Sequence, residues 1–135
     1  MTALSSYAER KVLDHLFKNT SYTSPTAYIG LFTSNPTDSA SGTEVASAYS
    51  YARIRIDDKM GSATTGTDNS TITNTSNITF AAANGGSFGL VTHIGIFDAL
   101  TAGNLLAFGQ LAASKQIDDG DTFQISTGNL SITID

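Results

Sequence analysis

From Ile78 onward the chain is a succession of short runs of strand-forming residues, and each run is closed by a turn signal. The runs are Ile78–Ala82, Gly89–Ala99, Asn104–Ala112, Lys115–Ile117, Thr122–Ser126 and Leu130–Ile134. Between them stand Asn84-Gly85-Gly86, Thr101-Ala102-Gly103, Asp118-Asp119-Gly120-Asp121 and Thr127-Gly128-Asn129. Gly, Asn and Asp tolerate the backbone angles of tight turns, and strands broken this often pair antiparallel with their neighbours. This spacing predicts a mainly β fold, an antiparallel β-sandwich or barrel. In Val91–Phe97 both faces are apolar, with Val91 and Phe97 on one side and Ile94 and Ile96 on the other by alternation. That strand is expected to be central and covered on both sides.

The N-terminal part has a different period. Leu4, Ala8, Val12, Leu13, Leu16 and Phe17 recur at 3.6-residue spacing and predict one amphipathic helix, Leu4–Lys18. Its Leu13/Leu16/Phe17 stripe is expected to pack on the sheet. Ser6 and Glu9 have the spacing of a capping box, with Thr2 or Ser5 as earlier caps. Thr26–Thr33 then reads as a strand. Ser34–Thr43 reads as a loop, and Ser50–Asp57 alternates with Tyr51, Arg53 and Arg55 on one side. Residues 61–77 are almost wholly Gly, Ser, Thr, Asn and Asp. They are expected to be a long polar loop, or an arm ordered by a neighbour, within a single domain spanning 1–135.

The chemistry the chain lacks is as informative. There is no cysteine, which excludes a disulfide framework, a thiol nucleophile and a zinc-thiolate or iron–sulfur site. Two histidines, His15 and His93, stand far apart without a ligand-spaced companion. His93 in an apolar strand is expected to be a hydrogen-bonded core residue. A triad of a serine, His93 and Asp98 lacks the Gly-x-Ser-x-Gly elbow that would support it. The acidic run 118–121 lacks the spacing of a calcium loop and reads as a hairpin turn. These absences predict a protein that is not an enzyme, with no catalytic residue, no metal site and no cofactor.

Charged residues are 14% of the chain, against about 25% in typical domains, and the net charge is −5. That balance argues against nucleic acid or an anionic membrane as partner, since both select basic patches. Arg53 and Arg55 are the clustered positive side chains, and they are the candidate contact to an acidic partner surface.

The order of segments carries a resemblance. Leu13-Asp14-His15-Leu16 is followed by Tyr28-Ile29-Gly30-Leu31-Phe32-Thr33 with Pro36. Next come Ser41-Gly42-Thr43-Glu44-Val45 and Tyr51-Ala52-Arg53. Later stand the run Gly89 to Asp98, Gly103-Asn104-Leu105-Leu106, Gly120-Asp121 and Gly128 to Asp135. In this order the chain resembles a family of small virion proteins of tailed bacteriophages that carry a tail-fibre label. The resemblance spans nearly the whole chain, which departs from the usual pattern in its longer stretch 61–77.

It implies a virion structural protein without catalytic residues. The expected placement is decoration (cement) of the outer capsid surface, binding the major capsid protein. A tail or tail-fibre-associated protein of host attachment, with tail proteins as partners, is the alternative. A short chain without internal repeats suits the shell better than a fibre shaft. The expected working unit is a homotrimer, matching the local threefold positions of an icosahedral shell. Attachment is expected through residues 61–77, the residues ahead of the helix, or both.

Overall fold

The computed structural model describes residues 2–135. Ten strands and one helix follow one another as β1 (Thr2–Leu4), α1 (Ser6–Phe17), β2 (Tyr28–Phe32), β3 (Ile54–Arg55), β4 (Thr64–Thr65), β5 (Ser70–Thr73), β6 (Ile78–Thr79), β7 (Gly89–Phe97), β8 (Leu105–Ile117), β9 (Gln124–Ile125) and β10 (Ser131–Ile134). Eight form one sheet in the order β3-β2-β7-β8-β1-β10-β5-β4, and β6 pairs with β9 in a separate ribbon. Every pairing is antiparallel except β1 with β10. The fold is therefore mainly β with one helix near the N-terminus, as the turn spacing and the N-terminal 3.6-residue period predict.

The main core lies where the ribbon meets one face of the sheet. Ile29 and Leu31 of β2, Val91, Ile94 and Ile96 of β7 and Ala107 and Ile117 of β8 pack with Ile78, Phe80, Phe123 and Ile125 from the ribbon side. Phe80 sits edge-on to Phe123 at 5.9 Å between ring centres. On the other face a smaller cluster of Phe32, Phe97 and Leu105 covers the same central strands. Strand β7 is thus apolar on both faces and covered on both, as expected. Val91, however, shares a face with Ile94 and Ile96 rather than with Phe97. The β7–β8 register shifts between Val91 and His93, and the period-2 count does not carry across that step.

Residues 61–77 form structure of the chain's own. They hold β4 and β5, joined through a turn in which the Gly66 N–H donates to the Asn69 carbonyl at 2.8 Å. Strand β5 pairs with β10 over four residues and places Ile72 opposite Ile132. What orders this polar stretch is backbone pairing, together with Asn74, which is 2% exposed. The Asn74 amide donates to the carbonyls of Ser76 (2.9 Å) and Ser126 (3.1 Å), and its oxygen accepts from the Leu130 N–H (2.9 Å). One buried side chain thereby satisfies all its polar atoms and ties the end of β5 to the turn before β10. Ahead of the helix, Thr2–Leu4 form β1, inserted between β8 and β10.

The helix begins at Ser6 rather than Leu4, because Leu4 belongs to β1 and Ser5 is extended (φ −77°, ψ 159°). Ser5 is fully buried. Its N–H donates to Leu106 (2.9 Å), its hydroxyl donates to the Leu105 carbonyl, and the same oxygen caps the Ala8 N–H at 3.2 Å. This anchorage on β8 fixes which way α1 is turned: Ala8 is its buried residue. At 100° per residue, Tyr7, Lys11 and Asp14 then share the body side and are half-buried. The stripe expected in the core lies on the opposite side. Leu13, Leu16 and Phe17 are 56%, 64% and 80% exposed, and Val12 is 39% exposed.

Candidate functional site

Of the two arginines singled out by the sequence, Arg53 is turned inward. Its side chain is 7% exposed and makes a two-pronged ion pair with Glu44: Nε to Oε1 at 2.9 Å, and Nη2 to Oε2 at 2.8 Å. Nη1 donates to the carbonyls of Ala99 (2.8 Å) and Ala102 (2.7 Å), and the guanidinium lies 3.6 Å from the centre of the Phe97 ring. Glu44 reaches this position because residue 44 bridges Phe32 next to β2. Its Oε1 also accepts from the Tyr51 hydroxyl at 2.7 Å, which in turn accepts from the Leu31 N–H at 2.9 Å. Burial and the neighbouring carboxylate push the Tyr51 phenol well above its ordinary range, so it stays a donor.

Gly30 is what lets these groups meet. A methyl group there would lie 2.6 Å from Glu44 Oε1 and 2.9 Å from the Tyr51 hydroxyl. The network fastens the loop after β7 to the edge beside β2, and its polar atoms face one another. Arg53 is thus a structural clamp, with its guanidinium bound to Glu44 and to the carbonyls of Ala99 and Ala102.

Arg55 is the exposed member, with its side chain 56% accessible and held by Asp57 through Nε–Oδ1 and Nη2–Oδ2 contacts of 2.8 Å each. The guanidinium holds the Asp57 carboxyl below the usual carboxylate range. The other candidates stay apart. His93 Nδ1 lies 2.8 Å from the Thr92 hydroxyl, and both Asp98 oxygens are taken by Asn104, at 2.7 and 2.9 Å. His15 accepts from the Tyr22 N–H at 3.2 Å. In the acidic turn, Asp119 Oδ1 accepts from the Gly85 N–H (2.9 Å) and Asp121 Oδ2 from the Asp118 N–H (3.0 Å). Among the described residues no three His, Cys, Asp or Glu side chains converge as a metal site. Among the described residues no helix is long and apolar enough to cross a membrane.

The surface that stands out is the outward side of α1. Val12 and Leu13 also line a groove with Leu4, Glu9, Asn69 and Ile134, so the apolar stripe runs on to the end of β10, where Ile134 is 50% exposed. Sequence periodicity finds these residues but assigns them to the interior. Glu44 and Asn74 are missed, since an isolated Glu or Asn in a polar loop carries no local signal of burial.

A family model described as podophage GP4 fiber I protein gp80 matches residues 3–133. The chain belongs to that family. No match was found among curated proteins. The resemblance drawn from segment order thus extends over nearly the whole chain, and this Gp80-family protein is a tailed-phage virion structural protein. Its place is the virion.

Proposed function

We propose that this protein is a non-catalytic building block of the tail-fibre apparatus, working through protein–protein contact. The observation that carries the reading is the helix α1, whose largest apolar side chains face outward while its polar side rests on the body. A large apolar stripe held open on a rigid sheet is a docking feature. The buried Glu44–Tyr51–Arg53 cluster, by contrast, spends its charges on holding loops together. The family's fibre description supports the tail-fibre placement over capsid decoration.

Purified particles decide between the two placements. Gold-labelled antibody should mark the tail end, with a copy number set by the fibres. Label spread over the capsid, with a copy number matching the shell lattice, would instead establish a decoration protein.

A further inference from the structure

We infer that Asn84 is a site of spontaneous deamidation, and that the Asp119 carboxylate restrains the reaction by holding the Gly85 N–H. The chemistry needs only water. The backbone nitrogen of the following residue attacks the asparagine side-chain carbon Cγ. The N–Cγ bond forms, the Cγ–NH2 bond breaks, and the proton lost by the backbone nitrogen leaves with the amide as ammonia, closing a five-membered succinimide. Water then adds to one of the two ring carbonyls and breaks its bond to nitrogen. One opening gives aspartate. The other gives isoaspartate, in which the main chain runs through the side-chain carbon. Either way a neutral amide becomes a carboxylate.

The first ground is local sequence. The attacking nitrogen has to come close to Cγ, and a glycine sets no Cβ in the way. Of the eight asparagines, Asn84 alone is followed by glycine, and Asn35 precedes Pro36, which has no N–H to lose. The second ground is how these side chains are held. Asn74 is buried with its amide bonded on both sides. Asn77 Oδ1 accepts from the Thr127 N–H at 2.9 Å, and Asn104 Nδ2 donates to Asp98 at 2.9 Å. Asn84 is exposed, and a Cβ placed on Gly85 would meet nothing within 4 Å, so water reaches the reacting atoms.

The third ground is Asp119, whose Oδ1 accepts from the Gly85 N–H at 2.9 Å. To attack, that nitrogen gives up its proton and takes on negative charge. A carboxylate 2.9 Å away opposes this about tenfold, even with the full screening of water. The turn that carries Asp119 is fixed to the same stretch of chain. Gly120 N–H donates to the Ala83 carbonyl (2.7 Å), and Ala83 N–H donates to the Asp121 carbonyl (2.9 Å). Asp119 is therefore a positioning residue and takes no part in the bond changes. The product disturbs its neighbours as well. The Asn84 N–H donates to the Tyr49 carbonyl at 3.0 Å, and Tyr49 and Ser50 are held at φ 55° and 71°, strained for residues with a Cβ. The extra main-chain carbon of isoaspartate shifts that bond and loosens the segment it holds.

The test is to hold the purified chain in mildly alkaline buffer at physiological temperature for several weeks and follow it by peptide mass spectrometry. The peptide containing Asn84 should gain the mass difference between NH2 and OH before any other asparagine reacts, and should split into two chromatographic products. Asp119→Ala should deamidate about tenfold faster, whereas Asp119→Glu, which restores the charge, should stay within about threefold of the parent. Asn84→Gln, whose ring would have six members, should keep its amide. Circular dichroism of each variant checks that it stays folded. Three outcomes overturn the inference. The first is an Asn84 amide retained in both the parent and Asp119→Ala. The second is faster loss at another asparagine. The third is equal rates in Asp119→Ala and Asp119→Glu.

Discussion

Replacing Arg53 by Met removes the guanidinium while keeping much of the side chain's length, and the structure sets the scale of the loss. Arg53 is 7% exposed and Glu44 24% exposed. Deleting one partner of a buried pair leaves the other charge uncompensated, at a cost of about 3–5 kcal/mol. Water reaches a quarter of Glu44 and the Tyr51 hydroxyl still donates to it, which places the electrostatic loss near the lower end. The carbonyls of Ala99 and Ala102 lose their donor as well, and the stacking on Phe97 goes. The expected destabilisation is about 3–4 kcal/mol, a substantial part of the total stability of a domain this size. With a urea slope near 2 kcal/mol/M, the midpoint should fall by roughly 1.5–2 M, followed by tyrosine fluorescence or circular dichroism.

The double variant Glu44→Gln/Arg53→Met separates the pair from its surroundings. Its loss should be smaller than the sum of the two single losses by at least about 1.5 kcal/mol, because the second change removes the charge that the first leaves stranded. An Arg53→Met midpoint within about 0.5 M of the parent, or strictly additive single losses, would refute the clamp.

Three further outcomes are expected. Asn74→Ala leaves the Leu130 N–H and two carbonyls without their partner, so urea melts should show a loss of about 2–3 kcal/mol; a loss under about 1 kcal/mol would mean that backbone pairing alone holds residues 61–77. Gly30→Ala drives a methyl group against Glu44 and Tyr51, and the same melts should report about 1–3 kcal/mol, with parental stability counting against the close approach. Burial lowers the His93 pKa below its ordinary 6.5, so on acidification the unfolded chain takes up that proton before the folded chain does. The stability His93 contributes is full above pH 6.5 and declines as pH falls through that value toward the lowered folded pKa. Urea midpoints at about pH 7.5 and about pH 5.5 should differ less in His93→Gln than in the parent, and an identical difference would remove His93 as the cause.

The sequence by itself determined the division into strands and turns, the single helix, and the lack of thiol or histidine-pair chemistry. These are local properties: Gly, Asn and Asp permit turn angles wherever they occur, and apolar residues at a fixed period mark one face of an element. Local signals do not reach across the chain. The period of Leu13, Leu16 and Phe17 groups them on one face but carries no information about what that face meets. Ser5, hydrogen-bonded to residues 105 and 106 a hundred positions away, decided that the face is outward.

Alternation puts Tyr51, Arg53 and Arg55 on one side, yet Arg53 is buried because Glu44 and the carbonyls of Ala99 and Ala102 converge on it from distant loops. Residues 61–77 contain too few apolar side chains to show a strand pattern. Their order comes from backbone hydrogen bonds to β10 and from Asn74, and a backbone ladder leaves no trace in side-chain hydrophobicity. Tertiary structure alone therefore chose which apolar face the protein keeps for itself and which it leaves open, because that choice depends on contacts between segments far apart in the chain.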